Sequence, residues 1–385
     1  MKSKRTPNVD LETIIPVLMG VWRRLHKEAG PADRLQTREF RGVVTAINAL
    51  QEGLITGNSL IGTDYFSDNN MLGAYLLYQW MIHYQQGLSL IGELPVPPNR
   101  VLDICSGPAP FAFAALRHGA GEVFATDRNA QALKIGAEVC GRYGVPINTR
   151  QWDCLKERCP VDGSFDLIIL GHCLEELFPS DSKGWIERQH QFLTFLLSRL
   201  SPQGYLMIAE SSHIEANQRV LSLRDKLVKE GVPVQAPCIW RGDCPVLQIK
   251  NSPCYAQRAL VKPHLMKEIQ RAAQINLGSL KMSYMIFRKP EANWPNLPNK
   301  ELYRVISPPV ESHQGNRYYL CGTNGKKSIG SHLKEHPNES KAFEFLKRGE
   351  LISIENALEK QLAFDIVKGT KIFVEAACGK PLEDG

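Results

Sequence analysis

Between residues 99 and 290 the apolar positions alternate between two patterns. Short apolar runs predict strands over residues 100–104, 122–126, 165–170, 204–210 and 281–287, and the alternation of elements adds one over the polar residues 148–151. Apolar residues every three or four positions predict helices over 111–116, 131–143, 185–200 and 217–229. Strand and helix in turn is what a mostly parallel, doubly wound sheet requires. Ser201-Pro202-Gln203-Gly204 reads as the turn into the fifth strand. Before this region, residues 11–25 and 71–90 have helical spacing, and Leu94-Pro95-Val96-Pro97-Pro98 ends the helical part sharply. After Lys289 comes the linker-like EANWPNLPNK. Short strands are then expected over 302–306, 317–321, 350–354, 364–367 and 371–374, with turn signals at Thr323-Asn324-Gly325 and Lys368-Gly369. The expected organisation is a helical N-terminal region (1–95), an α/β domain (96–290) with a cysteine loop at 232–262, and a small β-rich C-terminal module (291–385).

Composition narrows this only a little. A chain of 385 residues with 43% hydrophobic content has room for a sizeable core. Its net charge of +6 permits an anionic partner without requiring one. No apolar run approaches the roughly 20 residues of a membrane span. The nearest candidate, residues 14–22, holds Pro16 and Gly20 and precedes basic residues rather than a cleavage site, so no membrane association is expected and the cytoplasm is the default location. Ten cysteines in a reducing compartment read as thiols or metal ligands before disulfides.

The chemistry concentrates at VLDICSGPAPFAFAAL, a strand, a tight turn and the start of a small-residue helix. Asp103 closes the first strand, and Asp127 closes the next, 24 residues on. That arrangement suits a nucleotide laid across strand ends, with helix N–H groups beneath it and an acid for the ribose hydroxyls. A dinucleotide turn needs G-x-G-x-x-G, whereas this turn has Gly107 alone and begins with an acid. The acid favours a cofactor with an ammonium group, and the segment resembles motif I of class I S-adenosylmethionine (SAM)-dependent methyltransferases. Cys105 and Ala109 stand where that motif usually has glycine. A different nucleotide fold and a purely structural turn are the alternatives. Asp153, after the third strand, is either an acceptor for the adenine amino group or an ordinary surface acid. His172 and Glu175, after the fourth strand, stand where methyltransferases place residues facing the reacting methyl. They read equally as cofactor packing and a solvated helix start. Neither the Asn/Asp-Pro-Pro-aromatic signature of base-amine methylation nor the proline-flanked nucleophilic cysteine of C5 methylation occurs here.

A second signal is Pro237-Cys238, Cys244-Pro245 and Pro253-Cys254, in a stretch without periodicity. Prolines stiffen such a loop and lower the entropy lost on binding a metal. A fourth thiolate completes a tetrahedral zinc site or a four-iron cluster, and Cys321 is the best-placed candidate. Three unconnected thiols are the alternative. Trp240, Arg241 and Lys250 suit RNA stacking and phosphate contact, or simply a solvated loop.

Together, the GP turn, the proline-flanked cysteines, the aromatic strand at 283–287 and the late Leu-Cys-Gly-Thr-Asn-Gly resemble the methyltransferase-like small ribosomal subunit assembly proteins of bacteria and mitochondria, over roughly residues 60 to 375. The resemblance implies the class I SAM-methyltransferase fold and association with the small ribosomal subunit and its rRNA. It implies a [4Fe-4S] cluster on Cys238, Cys244, Cys254 and Cys321, with zinc as the alternative. It places SAM at Asp103, Gly107 and Asp127, next to Cys105 and with Asp153 at the adenine end. The expected function is a ribosome assembly or translation factor, with a monomer favoured. An active methyltransferase acting on rRNA or on a small molecule is the rival, with His172 and Glu175 as its catalytic candidates.

Overall fold

In the computed structural model, which describes residues 10–53, 60, 65–249, 252–322 and 325–382, the chain divides into two units. The first comprises Met1–Ile91, Pro97–Met207 and Ala259–Leu280. Its helices include α1 (Leu11–Leu25), α2 (Thr37–Gln51), α3 (Asn69–Ala74) and α4 (Trp80–Ile91). Asp10 caps α1 by accepting from the Thr13 N–H, and Asp68 caps α3 by accepting from Met71. A π-helical turn, Tyr75–Gln79, joins α3 to α4. Helix α4 is apolar nearly all round and buried over most of its length.

The strands of this unit are β1 (Arg100–Ile104), β2 (Glu122–Asp127), β3 (Asn148–Gln151), β4 (Phe165–Gly171) and β5 (Leu200–Glu210), in the order β3-β2-β1-β4-β5. The pairs β1–β2, β1–β4 and β2–β3 are parallel. Helices α5 (Pro110–Arg117) and α6 (Ala130–Arg142) cross between strands, with α7 (Leu174–Leu177) and α8 (Trp185–Ser198) following β4. Packing of α4 on α5 fixes the turn after β1. Trp80 Nε1 donates to the Pro108 carbonyl at 2.9 Å, and a Cβ at Gly87 would stand 2.9 Å from Ala114 Cβ and 3.0 Å from the Phe111 ring. The α/β class expected from the sequence is the one observed. Two details differ. Strand β5 begins four residues early, because Phe165 N–H bonds the Arg199 carbonyl and Ser201 Oγ bonds Asp166, which hold Ser201–Gly204 extended. A helix over His264–Ala272 had no expected counterpart.

The second unit comprises Gly92–Val96, Ile208–Arg258 and Lys281–Gly385. It contains helix α9 (Ile214–Lys229) and strands β6 (Val234–Ala236), β7 (Ala256–Arg258) and β8 (Leu280–Arg288). Strand β8 pairs antiparallel with β6 and also pairs with β7. The C-terminal strands are β9 (Tyr303–Val305), β10 (Val310–Ser312), β11 (Gly315–Gly322), β12 (Gly325–Gly330), β13 (Leu351–Glu355), β14 (Leu358–Glu359), β15 (Ala363–Asp365) and β16 (Lys371–Ala376). They form a second sheet ordered β14-β15-β12-β11-β9-β13-β16, with β10 on β11. Tyr303, Tyr318, Leu320, Ile329, Phe343 and Ile352 form its core. Strand β12 escapes the hydrophobic pattern because Lys327 occupies an inward position. Its side chain is buried, with the ammonium over the Phe364 ring at 4.9 Å and paired with Glu359. Thr323 and Asn324 of the expected turn lie outside the described residues.

Candidate functional site

The turn between β1 and α5 bends through three residues with left-handed backbone: Cys105 (φ 54°), Gly107 (φ 52°) and Ala109 (φ 62°). For the two non-glycine residues this costs roughly 1–2 kcal/mol each, so neighbouring bonds must hold them. They do. Ser106 N–H donates to the Thr126 carbonyl at 2.9 Å, Ala109 N–H to the Ser106 carbonyl at 2.8 Å, and Gly107 N–H to Asp127 Oδ2 at 2.9 Å. Asp127 Oδ1 also accepts from Asn129 N–H, and Asp103 Oδ2 accepts from Ala112 N–H at 2.9 Å in the first turn of α5. The motif's shape thus survives the loss of two glycines.

Its buried acids are held above the usual carboxylate range. Burial pushes the Asp103 carboxyl up to about 8, aided by nearby Asp127, and burial also raises Asp127. Glu176 joins them, raised by burial and only partly relieved by Arg128. These three acids act on one phenol. Tyr75 is raised first by burial and then by Asp127, Asp103 and Glu176, and a Cβ at Gly107 would stand 3.8 Å from its hydroxyl. Carboxylates held above their usual range lose that penalty when a cation arrives, so the turn suits a ligand with a positive group.

Thiols and imidazoles complete the surroundings. Cys154 and Cys173, both free thiols, act on the Cys105 thiol. Cys154 favours its thiolate, but Cys173 and burial together hold it well above the usual thiol range. His172, at the end of β4 with φ 57°, stacks on His83 at 4.2 Å with 11° between the rings. Its Nε2 stands 2.8 Å from Gln86 Oε1, which puts the proton on Nε2 and leaves Nδ1 with a lone pair. Burial pulls His172 down to about 4 and His83 well below the normal imidazole value, so both are neutral at pH 7. His83 meets Gln79 at 2.7 Å and Tyr75 at 3.4 Å. Glu175 turns elsewhere, accepting from the Ser180 N–H and hydroxyl at 3.0 Å each. Asp153 accepts from the Leu155 N–H at 3.2 Å and pairs with Lys156 at 3.0 Å. Tyr75, His83 and Gln86 lie in the N-terminal helices, where helical spacing marks them only as core. Glu176 is the neighbour of the glutamate that the sequence singled out.

In the second unit one face of α9 grips the cysteine loop. Asn217, Leu221, Arg224 and Asp225 share that face by helical spacing. Asn217 Oδ1 accepts from Cys254 N–H at 3.0 Å, and Asp225 accepts from Cys244 N–H at 2.9 Å. Arg224 donates to the carbonyls of Trp240 and Gly242. Leu221, Cys244, Val246 and Ile306 form a small core, with Cys254 and Cys321 packed against it. Cys238, Cys244 and Cys254 all act on Cys321, so the four thiols expected as ligands share one neighbourhood. Burial raises every one of them, Cys244 to about 11 and Cys254 to about 12.

Cations offset that burial. Arg224 and Arg304 favour the Cys238 thiolate, Arg348 and Lys326 that of Cys254. Cys321 lies opposite Arg304 on one flanking strand and Lys326 on the other. Arg224 Nε is buried without a hydrogen-bond partner. Four thiols among four cations fit a tetrathiolate metal centre in kind, since such a centre is anionic. Among the described residues, however, no three His, Cys, Asp or Glu side chains stand in a metal-holding arrangement. Of the residues expected to touch RNA, Trp240 donates its indole N–H to the Asp243 carbonyl and Arg241 lies over the Trp294 ring at 5.2 Å. Lys250 lies outside the described residues. No described helix is long and apolar enough to cross a membrane.

No curated protein matches the chain. Among solved structures it is similar to magnesium protoporphyrin IX methyltransferase from Synechocystis PCC 6803 with bound SAM, at 12% identity over 63% of this chain and 97% of that one, with a TM-score of 0.37. It is also similar to the N-methyltransferase NodS from Bradyrhizobium japonicum WM9 in complex with S-adenosyl-L-homocysteine, at 14% identity over 64% and 99% of the two chains, with a TM-score of 0.35. Residues 93–342 match the family described as mitochondrial small ribosomal subunit Rsm22, and the chain belongs to that family.

Proposed function

We propose that this protein is a small ribosomal subunit assembly or translation factor that contacts rRNA and binds SAM at the β1–α5 turn. Family membership carries the ribosomal part. Asp103, Asp127 and Glu176 around a turn with its N–H groups committed carry the SAM part. SAM, when bound, supplies an electrophilic methyl group and two positive centres. Asp103 and Asp127 would face its ammonium, with Cys105 and Gly107 lining the turn and Asp153 at the adenine end. The site of action is wherever the small subunit is assembled, in the cytoplasm or, following the family description, the mitochondrion. Phosphate contacts from Lys and Arg would make rRNA binding salt-dependent.

Methyl transfer is the second reading, favoured by the lone pair on neutral His172 Nδ1. That atom would take the proton released by an amine or hydroxyl acceptor. Asp103→Ala with Asp127→Ala separates the readings. A scaffold keeps its cosedimentation with the small subunit and its ribosome profile, whereas an enzyme loses function.

Cys238, Cys244, Cys254 and Cys321 would hold a [4Fe-4S] cluster, or zinc in its place. The centre's contribution is a cross-link that ties the α9-gripped loop to β11. Iron and acid-labile sulfide in anaerobically purified protein test this, and background levels of both, with zinc also at background, would remove the centre from the account.

A further inference from the structure

A cavity in the second unit, partly open to solvent, has Arg258, Arg304 and Arg348 in its walls along with Tyr255, Tyr284 and Cys254, and no acidic side chain lines it. Each arginine is more than nine-tenths covered. Local bonds fix their positions. Arg304 donates to the carbonyls of Pro237 at 3.1 Å and Gly349 at 2.9 Å, Arg348 Nε donates to Ile306 at 2.7 Å, and the Arg348 guanidinium stacks 3.8 Å from the Tyr255 ring centre. Among the described residues Glu93 is the carboxylate hydrogen-bonded to one of the three, Arg258. It accepts from Arg258 Nη2 at 2.5 Å and from the Tyr284 hydroxyl at 2.6 Å. Arg258 Nε and Arg348 Nη1 remain buried without a hydrogen-bond partner. Three buried cations stand near two buried carboxylates, Glu93 and Glu350, which leaves one cation uncompensated, and guanidinium forks with unused N–H groups match the oxygens of a tetrahedral anion.

We propose that this cavity is a phosphate site. The space of about 30 Å³ has room for about two water-sized atoms, which suits two oxygens of a phosphate whose remaining substituents stay at the mouth. The phosphate comes either from an RNA backbone or from solution. With RNA as the source the site deepens, and rests on, the ribosomal reading above. Phosphate binding itself stands apart from that reading, but the site shares Cys254, Arg304 and Arg348 with the thiol cluster, so iron loading is part of the test.

The test titrates inorganic phosphate into the full chain at constant ionic strength, with chloride as the control, before and after iron loading. Saturable binding that raises Tm by about 1–3 °C over chloride is expected. Arg348→Gln should weaken that binding roughly tenfold or more, and Arg348→Lys, which keeps the charge but not the fork, by about threefold. Unchanged Tm values in chloride would show that both variants fold. Phosphate that displaces a small-subunit rRNA fragment from wild type but not from Arg348→Gln identifies the RNA backbone as the source. RNA binding indifferent to both supports a free-phosphate site and overturns the RNA source. Phosphate behaving like chloride, or bound equally by Arg348→Gln, overturns the site. Loss of phosphate binding on iron loading also overturns it, and would assign the arginines to the thiolate centre instead.

Discussion

The β1–α5 turn and the cysteine loop solve opposite electrostatic problems. Around the turn, Asp103, Asp127 and Glu176 are buried together, and each is held above the usual carboxylate range. Around the loop, Arg224, Arg304, Arg348 and Lys326 surround four thiols that burial keeps protonated. The buried groups differ in sign: acids at the turn, and cations at the loop, where Arg224 already pairs with Asp225 at 2.7 Å. A buried excess of negative charge is relieved by a cationic ligand, and a buried excess of positive charge by an anionic one. The turn therefore suits a cationic ligand, and the loop an anionic one.

The largest break in that contrast comes from a ligand. Cys254→Ser should reduce iron or zinc to background by elemental analysis, while Cys140→Ser, at a buried thiol in α6, leaves metal content unchanged. Next is Arg224→Met, which removes the cation beside Cys238 and frees the carbonyls of Trp240 and Gly242. A loss of about 3 kcal/mol in chemical denaturation is expected. Asp103→Asn acts in two directions. Its carboxyl is raised to about 8 when folded, against a normal value near 4, so the folded state alone holds the proton between those limits. Its contribution to stability is full below pH 4 and is lost as pH rises to 8. Asparagine removes this residue's share of that slope, so the variant should be more stable than wild type at pH 8 in chemical denaturation. SAM affinity of the wild type should rise over the same window as Asp103 ionises, and the variant should bind weakly at every pH. Glu175→Gln is the smallest change. With its carboxylate turned to Ser180, SAM affinity should move less than about twofold.

The sheet was readable because its strands are buried on both faces, which leaves continuous apolar runs such as Val101–Ile104 and Leu167–Leu170. Both acids of the turn were readable for the complementary reason: an Asp closing such a run breaks the pattern. Tyr75, His83 and Gln86 carry no such mark. They sit in helices that are buried nearly all round, so a residue facing the site looks like any other core position. Glu176 shows the limit of spacing arguments. Of two adjacent acids, the short helix after β4 turns Glu176 toward Asp127 and Glu175 toward Ser180, which depends on one 100° step of helix. In the loop, proline-flanked cysteines were readable from composition. The arginines were not, because Arg304 reaches the thiols from β9 and Arg348 from the turn before β13, and both look like surface charges in sequence. The polar strand β12 was hidden in the same way, by a lysine whose side chain is buried.

Calorimetric titration of SAM into the full chain, purified without oxygen and supplied with iron, tests the central claim most directly. Micromolar, enthalpy-detected binding at pH 8 that weakens toward pH 6 and disappears in Asp127→Ala is the predicted result. Absence of binding in folded protein at pH 8 would contradict it, and would leave the carboxylates of the turn with a structural role alone.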